Sequence, residues 1–472
     1  MGNDVSKEYY SVDEYDQFRY QLRKETQVLK KWFKNKSFEK GVRKCGIELE
    51  GCLIDKDFQP CLKNNLLISD EKHIDAELSK FNFEIHTDVH KIQSDVLTQL
   101  NKELKGTLDN CQNILEEHQS QHTLIGILPT ITQELMNLNT MSEMKRYKAL
   151  NHKILEIRKS NPIKIDINGE EHLHIIKRSI MMEAVTTSLQ IHVQVSLKNA
   201  ATLYNIATLI SGPMVGISAN APILFDKILW DDTRIPIFEQ SVSMTDYLKK
   251  TPHYKRVTLG HQYINSLYDL FSENMKMYPI LLPEKNRLIQ EKLFALRLHN
   301  GTIWRWNRPK IGWNENGVPN LRIEHRVMSA GPTIKDVIAN TAFFIGLLYG
   351  YLSKDKEICS KIPFTTAKHN FYEAAKHSLD ATLVWKNRER RTLSELCINE
   401  LIPIAKKGLR DLGIIERDIQ YYLKDIIYNR VKNRQNGAIW QKEVFHNNHD
   451  VLELIKKYVK NQQADKPVHE WD

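Results

Sequence analysis

The sequence predicts an α+β fold, and three observations carry that prediction. Four stretches alternate polar and apolar residues with the period of two that belongs to a strand. Between them lie longer stretches in which apolar residues recur every three or four positions, the helical period. From Thr333 the helical pattern continues to the end of the chain, interrupted by a basic, Asn-containing stretch at 429–437.

The first strand organises the rest. Residues 45–55 read Cys-Gly-Ile-Glu-Leu-Glu-Gly-Cys-Leu-Ile-Asp, so Glu48 and Glu50 share one face while Ile47, Leu49 and Leu53 share the other. Two like charges side by side repel and favour a cation; Mg²⁺ takes oxygen ligands, including one or two carboxylates, beside substrate phosphates. Alone, Glu-x-Glu reads more simply as a solvated strand face.

In chain order, Tyr15, Phe18, Leu22, Leu29, Trp32 and Phe33 predict an amphipathic helix within the first forty residues. Its opposite side carries Arg23, Lys24, Lys30, Lys31, Lys34 and Lys36, read as a solvated basic face. A second strand at 81–87 turns Phe83 and Ile85 inward and leaves Glu84 with Asn82 and His86 on the other face. Val89, Ile92, Val96, Leu100, Leu104, Leu108, Cys111 and Leu115 predict a long helix over a sheet. An apolar strand is expected from Leu124 to Leu128, stopped by Pro129, followed by a helix capped by Ser142 and a hairpin turn at Asn168-Gly169.

The third strand, 187–197, alternates most clearly, with Leu189, Ile191, Val193 and Val195 against Ser188, Gln190, His192, Gln194 and Ser196. A helix from Ala200 to Ile210 then leads to Gly212-Pro213. Residues 300–309 and 320–327 look like paired strands, the second with Arg322, Glu324 and Arg326 on one face. That row by itself fits an exposed ion-pair ladder, worth roughly 0–1 kcal/mol.

Composition is that of a globular protein. At 472 residues, 41% hydrophobic and 26% charged, the chain has length for a buried core and no signature of disorder. The net charge of +9 suits nucleic acid, an anionic surface or a phosphorylated ligand without choosing among them. Six cysteines show no zinc spacing and no signal peptide is evident, which predicts reduced thiols in a cytoplasmic protein. The apolar stretches 200–225 and 342–352 are interrupted or too short, so no transmembrane segment is expected. Met1-Gly2-Asn3-Asp4-Val5-Ser6 fits the loose myristoylation pattern at Gly2.

Placed on one face, these polar groups would combine acidic metal ligands with guanidinium forks, a set suited to phosphoryl transfer. Gly46-Ile47-Glu48-Leu49-Glu50, Phe83-Glu84-Ile85-x-Thr87, Ser188-Leu189-Gln190-Ile191-His192 and Glu324-x-Arg326 before Gly331-Pro332-Thr333 resemble the glutamate–cysteine ligase type 2 and carboxylate-amine ligase family. Further motifs match one branch of it: Glu171 to His174, Trp230-x-x-x-Arg234, and Asn300 to Arg308, with a weaker one at 437–441. The resemblance spans roughly residues 40–350, and several motifs in order are more specific than any one alone.

The resemblance implies a mainly antiparallel sheet related to the glutamine synthetase catalytic domain, with a concave active-site face, helices behind it and a helical C-terminal region. It implies ATP and Mg²⁺ as cofactors, and a small-molecule carboxylate, typically the γ-carboxylate of glutamate, joined to an amine through an acyl phosphate. Glu48, Glu50, Glu84 and Glu324 would bind metal. Arg326, Arg308 and His192 would act in catalysis, and Gln190, Arg305 and Arg322 would bind the nucleotide. Residues 1–352 would form the catalytic region, with 353–472 a helical extension packed on it. Many relatives carry Asp three residues after the Glu-x-Arg arginine, where this chain has Ser329, which leaves the amine unspecified. Three rivals are a non-catalytic member of the fold, a nucleic-acid-binding module and an ATP-dependent amine kinase. All four glutamates are present, against the first; the chain lacks a zinc-finger or RRM-like signature, so no specific nucleic-acid partner is expected.

Overall fold

The strand bearing Glu48 and Glu50 lies in the middle of the main sheet of the computed structural model, which describes residues 4–68, 73–244, 255–285 and 292–472. Gly2, with its myristoylation pattern, lies outside the described residues.

Helix α1 (Val12–Asn35) comes first, opened by a capping box between Ser11 and Glu14, and buries Phe18, Leu22 and Leu29 as its periodicity requires. Then follow β1 (Lys44–Asp55), β2 (Ile74–Ala76), β3 (Asn82–His86) and the two-residue β4 (His90–Lys91). Helix α2 (Val96–Glu116) starts seven residues later than Val89. Val89 is exposed, β4 pairs with the start of β1, and Ser94 takes a positive φ that no helix allows.

The apolar run from Leu124 to Leu128 is not a strand. β5 is the polar segment before it, Ser120–Thr123, and the Leu124 carbonyl accepts hydrogen bonds from Tyr458 and Gln462 side chains. Ser142 caps nothing: its hydroxyl donates to the Glu77 carbonyl, and α3 (Lys145–Ile157) begins after Met144. The hairpin β6 (Ile163–Asn168) and β7 (His172–Lys177) turns at Asn168-Gly169 as expected.

β8 (Ser188–Val195) leads into α4 (Ala200–Ile217), which continues through Gly212 and Pro213 rather than ending before them. The small pair β9 (Ile223–Leu224) and β10 (Lys227–Ile228) precedes helices α5 (Arg234–Ser241), α6 (Leu267–Met277) and α7 (Phe294–Gly301). Asn300 and Gly301 therefore end a helix, and the paired strands are β11 (Asn307–Trp313) and β12 (Pro319–Ser329). Thr333 caps α8 (Ile334–Lys354), its side chain accepting from the Asp336 N–H. The remaining chain is helical except for a hairpin, β13 (Thr382–Val384) with β14 (Arg390–Thr392), in a stretch expected to be helical throughout.

The fold is α+β, with a curled, antiparallel sheet in the order β11-β12-β8-β1-β3-β2; β4 and β5 pair with opposite ends of β1. One face is apolar: Ile47, Leu49, Ile191, Val193 and Ile323 are all 0–1% exposed. Helices close over that face, and the ring of His325 stacks on Phe344 of α8 at 4.1 Å. A Cβ added to Gly408 would lie 2.0 Å from the Gly346 carbonyl, so α8 and the helix Ile402–Asp411 can touch only backbone to backbone. One apolar core runs from Val5 to Trp471. By length and composition α4 and α8 could each cross a bilayer, but 83% and 89% of their apolar windows are buried inside the fold.

Candidate active site

Register alone assembles the polar face. Residues directly opposite each other on antiparallel strands share a face. Glu50 stands opposite Glu84, Glu48 opposite Gln190, His192 opposite Glu324, and Glu324 opposite Arg308. Five strands thus bring their motifs to one surface.

Side chains connect across it. Glu50 accepts the Ser188 N–H at 2.6 Å and the Gln190 amide at 2.8 Å, and the same amide reaches Glu84 at 3.2 Å. Arg308 grips both oxygens of Glu324, with Nη2 2.7 Å from Oε1. Lys310 Nζ lies 2.9 Å from that Oε1 and Arg326 Nη1 3.9 Å from Oε2. His192 Nε2 is 3.1 Å from Glu48 and 3.6 Å from Glu324.

Above this floor opens a cleft of about 370 Å³. Glu48, Glu50, Gln190, Arg308, Arg322 and Arg326 line it, with Phe271, Phe294, Trp304 and Leu298 supplying apolar wall. Glu84 and Glu324 are fully buried behind the lining. A smaller recess shares Glu50, Glu183 and Arg326 with the cleft and is bounded by Thr186, Ser188, Arg234, Phe238 and Trp306.

Arg305 does not join this set. It is buried away from the lining, bonded to Glu273 at 2.9 Å and Asn274 at 2.8 Å, and tethers α6. The physical reason is local: residues 302–306 lie outside any strand, and Arg305 is three positions from Arg308, a spacing that reverses direction even in a strand.

The carboxyls divide electrostatically. Burial resists ionisation of Glu48 and Glu324, yet His192 and Lys310 hold Glu48 well below the usual range, and Arg308 and Lys310 do so for Glu324. On the other side, burial raises Glu50, and burial with the nearby Glu48 and Glu50 charges pushes Glu84 up to about 7. Burial and the charges of Glu50 and Glu84 raise Glu77 strongly, while burial and Glu50 push Glu183 to about 8. Burial lowers His192, favouring the neutral imidazole.

Among the described residues two groups can hold a cation. Glu50, Glu77 and Glu84 bring three carboxylate oxygens within 4.8 Å of one another, and Glu48, Glu324 and His192 bring two oxygens and a nitrogen. In the first group Glu77 Oε1 is buried without a hydrogen bond, and the donors on Glu50 are one amide and one backbone N–H. Three carboxyls so served fit a hard divalent ion such as Mg²⁺. In the second, a metal would share Glu324 with Arg308 and Lys310.

Residues 36–413 match the model of glutamate-cysteine ligase family 2. The chain belongs to that family. The membership makes it an enzyme of the carboxylate-amine ligase class, which forms C–N bonds. Among solved structures, it is similar to the glutamate–cysteine ligase of Francisella tularensis in complex with AMP, at 14% identity and TM-score 0.51 over 90% of each chain. A bifunctional glutathione synthetase from Pasteurella multocida aligns at 11% identity and TM-score 0.49, over 89% of this chain and 52% of that one. No curated protein sequence matches the chain.

Within this family member, sequence reasoning missed Glu77, Glu183, Arg146, Arg297 and Lys310. Lys310 had a signal, since it lies two residues from Arg308 on one strand face. Glu77 and Glu183 had none: one follows a three-residue strand, and the other lies on the 3₁₀ turn Ile180–Val185, without alternation. Ser329 has its counterpart too. Its hydroxyl meets Asp232 at 3.1 Å and Arg234 Nε at 2.8 Å, and Arg234 pairs with Asp232 at 3.0 Å. A carboxylate thus stands beside Ser329, supplied from the 230–234 motif.

Proposed function

We propose that this enzyme uses ATP and Mg²⁺ to activate a glutamate-like carboxylate as an acyl phosphate and passes the acyl group to an amine. One observation supports this above the rest: the cleft is lined by Glu48 and Glu50, backed by the buried Glu77, Glu84 and Glu324, and by a cationic set, Lys310, Arg308, Arg322 and Arg326. A carboxylate attacking ATP brings anion against anion, so both partners must be neutralised and aligned. Mg²⁺ bound by the carboxylates would neutralise triphosphate oxygens and polarise the transferring phosphoryl group.

The chain's own residues do the rest. Arg326 reaches both the cleft and the recess and can grip a planar pair of oxygens on the acyl substrate. Arg308, fixed by Glu324, presents a cation whose position does not drift. Phe271, Phe294 and Leu298 exclude water, which would otherwise hydrolyse an acyl phosphate. Gln190 holds Glu50 and Glu84 in place. The named lining comes from Asp4 to Arg326, in keeping with a catalytic region at 1–352 and an extension at 353–472 packed behind it. We assign the reaction to the cytoplasm.

Incubation with ATP, Mg²⁺, L-glutamate and a panel of amines, read by phosphate release and mass spectrometry, tests the proposal. ADP, phosphate and a γ-glutamyl amide are expected. A phosphorylated amine would make the protein a kinase, and no amine-dependent phosphate release would overturn the reading.

A further inference from the structure

The acidic residues lining the cleft and recess are Asp4, Glu48, Glu50, Glu183 and Glu284. Four are engaged. Asp4 accepts the Arg146 N–H at 2.8 Å, Glu48 lies 3.1 Å from His192, and Glu50 accepts from Ser188 and Gln190. Glu284 accepts from Ser6 and Tyr10. Glu183 differs: Thr186 bonds its backbone carbonyl, and its carboxyl has no hydrogen-bond or ionic partner among the described residues.

Its place is as specific as its lack of a partner. Among the described residues only Glu50, Glu183 and Arg326 line both cavities, so this carboxyl stands where the cleft opens into the recess, beside the arginine assigned to the acyl substrate. The 3₁₀ turn Ile180–Val185 leads directly into β8, which anchors it to the strand carrying Gln190 and His192.

We propose that Glu183 binds the ammonium group of the amine substrate and accepts its first proton, a role that rests on the ligase reading above. A carboxylate with no internal donor can receive a cationic N–H, whereas the other acidic groups lining the cleft already have partners. The step balances. R′NH₃⁺ gives one proton to Glu183, and its lone pair forms the C–N bond at the acyl carbon. The C–O bond to phosphate breaks, and the second proton leaves with the phosphate as HPO₄²⁻. Glu183 ends protonated and returns its proton to water when product leaves. Burial and the Glu50 charge push Glu183 up to about 8 against the lowering effect of Arg326, so the carboxylate is free to accept a proton above about 8, where the assays are run.

Two nucleophiles separate this role from a structural one. Hydroxylamine is uncharged near neutral pH and needs no prior proton acceptor, whereas ammonia, methylamine and the amino acids arrive as cations. Wild-type protein and Glu183→Gln are each assayed with ATP, Mg²⁺ and L-glutamate, using hydroxylamine or that amine panel. The ratio of amide to hydroxamate should fall about a hundredfold in Glu183→Gln, with thermal melting unchanged, and Glu183→Asp should recover part of it. Equal loss of both products in Glu183→Gln, or no recovery with aspartate, overturns the role of Glu183 while leaving the ligase reading intact. A wild-type protein that forms no hydroxamate and no amide overturns both.

Discussion

Arg308 and Glu324 face each other across β11 and β12, and the guanidinium holds both carboxylate oxygens of a side chain with no exposed surface. Breaking a buried pair by removing one charge costs about 3–5 kcal/mol, because the survivor is left uncompensated. Glu324→Gln is therefore expected to lower both activity and the melting temperature. Glu50→Gln should behave differently: it removes one of several mutually repelling carboxyls, so the apo protein should melt no earlier while turnover falls at least about a hundredfold. Equal destabilisation of the two variants in thermal melts would contradict this division.

Arg326 makes a looser contact, 3.9 Å from Glu324, and its Nε is buried without a hydrogen-bond partner. Its fork is thus available for a substrate. Arg326→Lys keeps the charge and loses the planar grip, so orientation should suffer more than attraction. If Arg326 holds the ground-state carboxylate, KM for the acid rises at constant kcat; if it acts on the transferring phosphoryl group, kcat and kcat/KM fall together. Unchanged kinetics would reduce Arg326 to an ion-pair partner of Glu324.

Parity explains how much of this was legible. Glu48, Glu50, Gln190, His192, Arg322 and Glu324 sit on long alternating strands, where every second residue shares a face, so their meeting could be read from spacing. Arg305, expected at the nucleotide from the resemblance of the 300–308 motif, lies before β11 begins and is bonded to Glu273 and Asn274. Glu77 and Glu183 occupy short irregular elements whose direction is set by tertiary contacts, and no period announces them. Helix α2 starts late because Val89 is exposed, β4 pairs with β1 and Ser94 takes a positive φ, whereas the apolar run 124–128 is buried by neighbouring elements without a repeat of its own.

Acid-base linkage gives a third test. Glu84 at about 7 and Glu183 at about 8 lie above the 4.5 of an unperturbed glutamate, with Glu50 and Glu77 raised too. Between 4.5 and about 8 these carboxyls bind more protons in the folded protein than in the unfolded chain, so their contribution to stability falls as pH rises through that window. Glu48 and Glu324 are depressed and act oppositely, their contribution vanishing below the ordinary glutamate range. The buried His122, His299 and His325, lowered by burial from 6.5 to about 4, about 4 and about 3, destabilise the fold as pH falls below 6.5. Metal-free protein should therefore be most stable near 6.5 and lose stability as pH rises toward about 8. Mg²⁺ replaces protons on the carboxyl cluster, so its stabilising effect should be larger at a pH of about 8 than about 6. Melting curves with EDTA and with Mg²⁺ check both signs, and an Mg²⁺ effect independent of pH would remove the cluster as the binding site. Calorimetry adds a companion result: ATP should bind far more weakly in EDTA, where the carboxylates face the triphosphate bare.

Ser329 and Asp232 give the last prediction. Arg234 is 2% exposed and hydrogen-bonds Asp232, the Ser329 hydroxyl and the Val327 carbonyl, so one cation serves one carboxylate in a closed pocket. Ser329→Asp would set a second carboxylate against Asp232 beside the one guanidinium that both would share. Space is short as well, since a Cβ on Gly126 would already lie 2.6 Å from the Ser329 hydroxyl. The single substitution should cost several kcal/mol, in the range of about 3–5 for an uncompensated buried charge. Moving the charge instead of adding it should cost less. In the double variant Asp232→Ser with Ser329→Asp, one carboxylate again faces Arg234, so part of the lost stability should return as a favourable coupling between the two sites. Denaturant melts of the two single variants and the double one measure that coupling directly. A double variant no more stable than the sum of the single losses predicts would mean that Ser329 is fixed by packing alone, and that Arg234 does not couple positions 232 and 329.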